Sequence, residues 1–506
     1  MRTAERVVFN TIVLYAKIIA SMAIALVSVP LVLHALGASD YGLYNLVAGV
    51  VAMLSFLNNS MTVSSQRYMS VAMGENNEQK VNIIYNTSFA LHLALGLLIV
   101  VAFEAVGIFA IDKLNIDPDR MWCAKVIFQF LILSTFSKIV SVPFDALMNA
   151  KEDMLPFSIV ELIDSVLMLL VALTIQYFTG DKLIHYGFCV AGIAVLTFFM
   201  KYGWCRHAYK EYRIKLKQYK GQLQTKAMLG FTGWNLFGGL ALIGRNQGVA
   251  IIINIFLGTV ANAAYGVANQ INGALGHFSS TFQKAINPQL MKSEGMQNRE
   301  RMLRISFISS KFSVLALSLF AVPLIIEMEE VLNLWLENDI PPYTLRLSQL
   351  VLILSIAYQY SVGIMSAIQA TGNIRNYQIL MSIILLCNLP IAYYILKLGY
   401  PIHYTIAFFI ILELFSLCVR VIMGQRIAGL RVRNFINEVI APTTIIILLP
   451  LIVVIPIHIY YPMGFIRLLS VSVLYFLSFI ALMWRYALTK EQRNQFKSKI
   501  KRYQVI

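Results

Sequence analysis

Long apolar runs separated by short polar segments extend over almost the whole chain of 506 residues. A helix needs about 20 predominantly apolar residues to cross a bilayer, and each run reaches that length. The pattern predicts an all-α polytopic membrane protein with about fourteen transmembrane helices. We place them at residues 7–33, 41–66, 82–111, 121–148, 155–179, 183–204, 227–257, 261–284, 304–326, 343–370, 377–396, 401–422, 439–460 and 464–486.

The composition agrees with this pattern. Apolar residues make up 58% of the chain and charged residues 13%, whereas a soluble domain has about 25% charged residues. A soluble globular protein is therefore excluded. No predicted loop is long enough for a soluble catalytic domain, and no acidic or histidine motif has catalytic spacing, so we expect a protein that is not an enzyme.

The excess of basic residues fits a membrane topology. The net charge is +16, from 41 Lys and Arg against 25 Asp and Glu. With both termini cytoplasmic, 30 basic residues fall in inner segments and 6 in outer ones. This is the positive-inside bias, and it predicts a multi-pass membrane protein with both termini cytoplasmic. It also argues against nucleic-acid binding.

The cysteines and the first apolar run add two exclusions. The five cysteines are scattered, without a CxxC pair or a histidine at ligand spacing, so we predict neither a disulfide framework nor a metal site. No cofactor is predicted either. The first apolar run is too long for a cleavable signal peptide, and no small-residue cleavage site follows it, so we expect it to be a retained span.

The chain divides into two similar halves. Six predicted helices precede the basic segment 205–226, six follow it, and two remain at the end. We therefore predict an N-terminal lobe at 1–204, a cytoplasmic linker at 205–226, a C-terminal lobe at 227–422, and two further helices with a basic tail at 423–506. Because six is even, the halves have the same orientation, as in transporters with a substrate site between parallel repeats.

Two polar seams support the repeat. In the second and eighth helices, polar and small residues recur at alternating spacings of three and four, which places them on one helical face. In lipid such a face must turn toward protein or water, so the alternatives are helix packing and a shared cavity. Two matching seams favour the cavity. The residues expected to line it are Asn45, Asn59, Gln66, Asn262, Asn269, Asn272 and Gln283.

Five basic residues lie inside predicted spans, where a charge costs at least ~2.5–3.5 kcal/mol, and three of them are candidates for substrate binding. Lys17 and Arg245 lie near the middle of the first and seventh helices, and Lys311 lies in the ninth. A guanidinium binds phosphate in a bidentate manner. We predict that the three cations bind an anionic, diphosphate-containing substrate, with a structural ion pair as the alternative for Arg245. The face of Lys17 also carries Asn10, Ser21 and Ser28 and is expected to line a cavity.

Other buried charges have different explanations. The fourth and fifth helices form a hairpin, in which Lys138 and Asp164 lie at equal depth. We predict a structural ion pair between them. Glu104 and Glu413 have no partner evident from the sequence. Each is a candidate for ion coupling, a protonated core acid, or the partner of an unseen cation.

Several segments resemble a known family. The run from Pro30 through Leu36-Gly37-Ala-Ser-Asp-Tyr41-Gly42 is similar to the segment after the first helix in polysaccharide-export flippases. Residues 146–153 and 369–373 resemble family segments at the ends of the fourth and tenth helices. These flippases belong to the multidrug/oligosaccharidyl-lipid/polysaccharide (MOP) exporter superfamily.

The resemblance implies a function. Such a protein flips undecaprenyl-diphosphate-linked oligosaccharide across the bacterial inner membrane by alternating access, for O-antigen, capsule or exopolysaccharide synthesis. It implies a monomer in contact with membrane lipids, with glycan polymerase or glycosyltransferases as partners. Basic residues on the first and seventh helices are a feature of the family, and Lys17 and Arg245 match it in kind.

Two alternatives remain. A drug or metabolite antiporter of the same superfamily has the same fold, but one that extrudes organic cations is expected to have an acidic cavity. A membrane enzyme, such as a glycan polymerase or acyltransferase, is disfavoured because no large outer loop is predicted.

Overall fold

The computed structural model describes residues 3–52, 55–110, 116–215, 222–336 and 340–487, which fold into helices without a β-strand. The predicted all-α architecture is confirmed. The helices of the first half are α1 (Thr3–Ala52), α2 (Ser55–Gly74), α3 (Glu78–Ala110), α4 (Met121–Lys151), α5 (Met154–Thr174), α6 (Lys182–Ala208) and α7 (Gln222–Gly295). Short 3-10 turns stand at Pro118–Arg120 and Ile175–Tyr177.

The second half contains shorter helices. They are α8 (Arg299–Ile326), α9 (Met328–Leu336), α10 (Thr344–Gln359), α11 (Val362–Thr371), α12 (Arg375–Leu386), α13 (Asn388–Lys397), α14 (Ile402–Ala428), α15 (Val432–Phe435), α16 (Ala441–Leu448), α17 (Leu451–Tyr460) and α18 (Phe465–Leu482). Single π-helical turns at Ile436–Ile440 and Met483–Ala487 follow α15 and α18.

Glycines divide the two longest helices at equivalent places. Gly37 in α1 has φ 79° and ψ 163°, and Gly258 in α7 has φ 78° and ψ −173°. Residues with a side chain rarely adopt this backbone conformation. Each glycine follows a leucine, Leu36 or Leu257. Each also lies in the gap between two predicted helices, so the predicted helix ends coincide with these breaks.

The number of membrane spans depends on how these breaks are counted. Eleven helices are long and apolar enough to cross a membrane, or twelve if α10 and α11 form one bent span. The segment Gln224–Gly295 counts once among them, although at 1.5 Å per residue it is about 108 Å long, enough for two crossings of a ~30 Å core. Residues 53–54, within the predicted second helix, lie outside the described part.

The chain packs as two compact units. Unit 1 comprises Met1–Gly239 and Asn287–Gln297, and unit 2 comprises Leu240–Ile286 and Asn298–Ile506. The compact units differ from the predicted lobes in three respects. Residues 227–239, the predicted start of the C-terminal lobe, belong to unit 1. The C-terminal end of α7 belongs to unit 1, and α16–α18 belong to unit 2, where Tyr475 and Phe479 pack in one core cluster with Val314 of α8.

Close backbone approach explains the position of the α7 end. A Cβ on Gly74 would lie 2.1 Å from the carbonyl oxygen of Lys292, and a Cβ on Gly295 would lie 2.0 Å from that of Val71. Only glycine fits at both contacts. Lys292 and Gln289 also donate hydrogen bonds to the buried carboxylate of Glu152, the residue that ends α4.

The helix ends of unit 1 meet in two polar clusters. At one end, Arg6 forms an ion pair with Asp153 (3.2 Å), and Asn10 donates to the carbonyl oxygen of Glu152 (2.9 Å). At the other end, Arg120 bridges Asp40, from the sequence motif after Gly37, and Asp181. The start of α1 and the α4–α5 turn therefore meet in one cluster, and the break in α1 and the segments before α4 and α6 meet in the other. This is the arrangement expected for spans that alternate in direction.

Candidate functional site

A four-residue ion network lies inside unit 1. Lys17 of α1 and Lys201 of α6 both contact the Glu161 carboxylate of α5, at 3.5 Å and 3.0 Å. Lys201 also lies 2.9 Å from Asp145 of α4. The Lys201 side chain is 8% exposed, whereas the Glu161 side chain is 34% exposed, so the network is shielded at Lys201 and more open at Glu161. Four different helices therefore meet through paired charges.

The α4–α5 hairpin creates this network. Glu152 has a left-handed backbone, with φ 64°, and ends α4. The turn brings Asp145 and Glu161 to similar depth, and Lys201 of α6 inserts between them.

The predicted Lys138–Asp164 pair is not a contact pair in the described residues. Lys138 is exposed and Asp164 is half-buried, and their attraction acts at longer range. The ion pairs of this hairpin are instead made by a third helix, since Lys201 of α6 contacts Asp145 and Glu161.

The polar face of α1 packs against protein. Ser21 Oγ lies 3.1 Å from Ser165 Oγ of α5, and Ser28 bonds to its own helix at the carbonyl of Ile24. Asn10 reaches the end of α4. The expected cavity face is thus the seam by which α1 contacts α4 and α5, and Lys17 is an ion-paired residue of that seam.

Arg245 in unit 2 has a different environment. Its Nη1 donates to Asn246 Oδ1 at 3.3 Å, and its guanidinium lies 5.4 Å from the centre of the Phe409 ring. Its Nε is buried and has no hydrogen-bond partner. Within the part of unit 2 that the structure describes, no carboxylate lies within ion-pair distance of this guanidinium. Arg245 is thus a half-buried cation with hydrogen-bonding capacity to spare.

Glu413 has a partner that the sequence did not indicate. Arg420, two turns further along α14, donates to Glu413 and also to Ser361 Oγ (2.9 Å). Arg420 is 5% exposed. Its guanidinium also lies 5.3 Å from the ring centre of Tyr358. Arg245 attracts the same carboxylate from a greater distance, so two arginines surround one glutamate.

Lys201 and Arg420 were missed because both were counted with the loop charges at the inner ends of predicted helices. The heptad spacing of Glu413 and Arg420 was a usable signal, since residues seven apart lie on one helical face.

A bend between α10 and α11 adds polar groups near Arg420. The two helices meet at 42°, and Ser361 stands in the break. The preceding Gln359 is buried and accepts a hydrogen bond from Ser279 of α7 (2.6 Å). Gln283 donates to Ser279 at 3.4 Å. The C-terminal end of the seam predicted in residues 261–284, which belong to α7, therefore contacts the last residue of α10.

The other predicted seam residues have separate environments. Asn269 donates to the carbonyl of Tyr265 (2.8 Å), Asn272 Oδ1 is buried without a hydrogen-bond partner, and Asn262 is half-buried. Gln66 is half-buried in unit 1. The side chains of Asn45 and Asn59 lie outside the described residues, so the cavity that the seams were expected to line stays a prediction.

The remaining predicted site residues, Lys311 and Glu104, each form a hydrogen bond with another helix. Lys311 of α8 donates to the carbonyl oxygen of Ala487 at 3.1 Å, so it caps the π-helical turn after α18. Glu104 accepts a hydrogen bond from Gln129 of α4 at 3.2 Å. Neither contact involves Lys17 or Arg245.

The charged groups outside the spans stabilise the ends of unit 1. Burial tends to raise the pKa of Asp181, but its bonds from the Ile184 N–H, Cys123 and Arg120 outweigh this effect and lower that pKa. Burial, assisted by the bond to Asp153, raises the pKa of Tyr209. The Tyr209 hydroxyl therefore stays a neutral donor at physiological pH.

Solved structures show where this fold occurs. One is a MOP superfamily transporter from Pyrococcus furiosus Vc1 (DSM3638), with a TM-score of 0.73 and 13% identity over 84% of this chain and 95% of that chain. A second is an outward-facing multidrug resistance MATE family transporter of the MOP superfamily, with a TM-score of 0.74, 13% identity and the same coverage. A third is a MATE structure in the bent conformation, with a TM-score of 0.74 and 14% identity over 84% and 95%.

These likenesses establish the fold, which is that of MATE transporters of the MOP superfamily. No family model matches the sequence, and no curated protein matches it. The polysaccharide flippase family that the sequence motifs resemble is thus not identified by a sequence match.

Proposed function

We propose that the chain is a membrane transporter of the MATE type, an antiporter that exchanges a coupling cation for a drug or metabolite. The observation that carries the proposal is the ion network of unit 1, in which Glu161 is shared by Lys17 and Lys201. The similarity of the fold to MATE transporters supports it.

The network has the properties of a coupling site. Charges inside a membrane are costly and are characteristic of ion and proton pathways. Asp164 makes no contact with the two lysines, but it interacts electrostatically with Lys138, Glu161, Lys201 and Lys17, so a third carboxylate influences the network. A proton or a metal cation that binds here would compete with a lysine for a carboxylate, and would therefore change which helices the network holds together.

A flippase for lipid-diphosphate-linked oligosaccharide is the second candidate, and Arg245 favours it. A fixed cation with a free Nε offsets the desolvation of a phosphate headgroup. The P. furiosus transporter is described by a reverse polarity of its binding pocket that suggests a different function. Charge is therefore a reasonable property by which to separate the two candidates.

Transport by the purified full-length protein in liposomes separates them. For the antiporter, an imposed proton or sodium gradient should drive accumulation of a cationic dye such as ethidium. Glu161→Gln should abolish this coupling, whereas Arg245→Gln should preserve it. For the flippase, a fluorescent undecaprenyl-diphosphate oligosaccharide should change leaflet, and Arg245→Gln should slow that movement.

The matched control is Arg304→Gln, which removes an exposed cation paired with Glu300 and should behave as wild type in both assays. If the dye accumulates to the same extent with and without the imposed gradient, the antiporter proposal is contradicted. Lipid movement in the wild type, without dye transport, would establish the flippase instead.

The proposed location is common to both candidate functions, whereas the proposed partners differ between them. Insertion in a bacterial inner membrane with both termini cytoplasmic is supported by the charge bias of the sequence. Lipid-linked oligosaccharide, glycosyltransferases and a glycan polymerase are partners of the flippase candidate only. A monomeric state fits both candidates.

A further inference from the structure

We infer that residues 209–215, which we call the docked basic segment, form a binding surface for anionic phospholipid headgroups. The inference is independent of the transported substrate. It begins from the end of α6 at Ala208, where the chain leaves a candidate membrane span and continues as non-helical backbone. Trp204 in the last turn of α6 is 46% exposed, and tryptophan is enriched at the level of the headgroups.

The segment is held firmly against unit 1. Tyr209 and Tyr212 are buried, and their hydroxyls donate to the carboxylates of Asp153 and Glu78, respectively. Asn86 of α3 donates to the carbonyl of Arg213 (3.0 Å) and accepts from the N–H of Lys215 (2.6 Å). Asp153, which precedes α5, and Glu78 and Asn86 of α3 therefore hold the segment through side-chain hydrogen bonds.

This docking turns a row of cations outward. Lys210, Arg213 and Lys215 are exposed, whereas the tyrosines between them face the protein. Within the described residues, none of these three cations has an ion-pair partner. The one acid in the segment, Glu211, is paired with Lys151 at 3.2 Å. The outward surface of the segment therefore carries three cations that are unpaired in the described part of the chain, and one acid that is neutralised by Lys151.

The fixed positions of these cations are not explained by membrane topology alone. The positive-inside rule depends on the number of Lys and Arg near a span, and it does not require the segment to be folded. Here buried hydroxyls and an amide fix the positions of three unneutralised cations beside the membrane surface. Pre-organised cations lose less entropy when they bind, and juxtamembrane basic residues attract anionic lipid. Phosphatidylglycerol is thus a matching ligand.

Native mass spectrometry of the full-length protein in a neutral detergent tests the inference. The probes are dioctanoyl phosphatidylglycerol, dioctanoyl phosphatidylcholine as the neutral headgroup, and inorganic phosphate as the free anion. We expect the wild type to bind phosphatidylglycerol more tightly than phosphatidylcholine, and inorganic phosphate at equal concentration to leave the lipid bound. Each of Lys210→Gln, Arg213→Gln and Lys215→Gln should weaken phosphatidylglycerol binding about 5-fold, with a larger loss in the triple variant.

Two variants separate charge from folding. The charge-preserving triple Lys210→Arg, Arg213→Lys, Lys215→Arg should retain binding. Tyr212→Phe removes the bond to Glu78 but no charge, and should give a smaller loss because the segment is less firmly held. Helical content by circular dichroism should stay at the wild-type level in every variant.

The matched control is the triple variant Arg426→Gln, Arg431→Gln, Arg433→Gln, which removes three exposed cations of unit 2. It should bind phosphatidylglycerol as tightly as the wild type does. The inference is overturned if the control triple loses as much affinity as the segment triple. It is also overturned if the segment triple binds like the wild type, if phosphatidylcholine binds equally well, or if inorganic phosphate displaces the lipid.

Discussion

Unit 1 and unit 2 each place a glutamate and basic residues inside the membrane, but the charge balance differs. In unit 1, Glu161 is shared by two lysines, and Asp145 neutralises the second. In unit 2, Glu413 is bound by Arg420, and Arg245 stands nearby without a carboxylate in ion-pair distance among the described residues. A basic residue in a span is therefore not sufficient to indicate an anion site, because its partner decides its role.

The largest effect is expected from Glu413→Ala in unit 2. This change leaves Arg420, which is 5% exposed, with Ser361 as its remaining hydrogen-bond partner at the Nη1 atom. Loss of one partner of a buried ion pair costs about 3–5 kcal/mol. We expect a corresponding fall in the free energy of unfolding, measured by denaturant titration of the purified protein in detergent.

Removal of both charges is the control for this prediction. The double variant Glu413→Ala, Arg420→Ala has no unpaired buried charge and should recover part of the lost stability. If the double variant is instead less stable than Glu413→Ala, the two substitutions act independently. The ion pair then does not dominate the stability of this site.

A smaller effect is expected from Glu161→Ala in unit 1. Lys201 keeps its contact with Asp145, and Lys17 is only partly shielded, with 21% of its side chain exposed. Because solvent screens part of the lost attraction, we expect a decrease of about 1–2 kcal/mol in the same titration.

Lys17→Met in the Glu161→Ala background sharpens the comparison. Methionine is of similar length and uncharged, so it should restore stability if the unpaired ammonium causes the loss. A Glu161→Ala effect larger than that of Glu413→Ala would reverse the order of the two units and contradict the shared-carboxylate interpretation.

The sequence predicted the fold well because the relevant signals are local. The apolar runs predicted the helices, and the gaps between predicted helices at residues 34–40 and 258–260 contain the breaks at Gly37 and Gly258. The attribution of α16–α18 to unit 2 was not predictable, because it depends on packing against α8. Such contacts have no periodic signature in the sequence.

The candidate site was predicted less completely for a physical reason. Lys17 and Arg245 lie in candidate membrane spans, but the sequence did not show that Glu161 of another helix pairs with Lys17, or that Arg245 has no carboxylate at ion-pair distance among the described residues. Lys201 lies 184 positions from Lys17 in the chain, and only the packing of α6 beside α4 and α5 shows that it competes for Glu161. Periodicity places a residue on a face and at a depth, whereas the charge state of a site depends on every helix that shares that depth.

The smallest effect on stability is expected from Arg245→Gln. This guanidinium has no contact carboxylate in the described residues, and its hydrogen bond to Asn246 is long, at 3.3 Å. A substitution that breaks no buried pair changes stability by about 0.5 kcal/mol or less. Denaturant titration should therefore place Arg245→Gln close to the wild type, while transport of an anionic lipid, if it is the substrate, should fall.

Arg245→Lys makes this last comparison decisive. Lysine keeps the charge but lacks the planar, bidentate geometry of the guanidinium. If Arg245 binds a diphosphate, the lysine variant should retain part of the activity that glutamine loses, with equal stability in both. If instead both variants are strongly destabilised, Arg245 is a structural residue like Arg420, and the difference in charge balance between the two units has no bearing on the substrate.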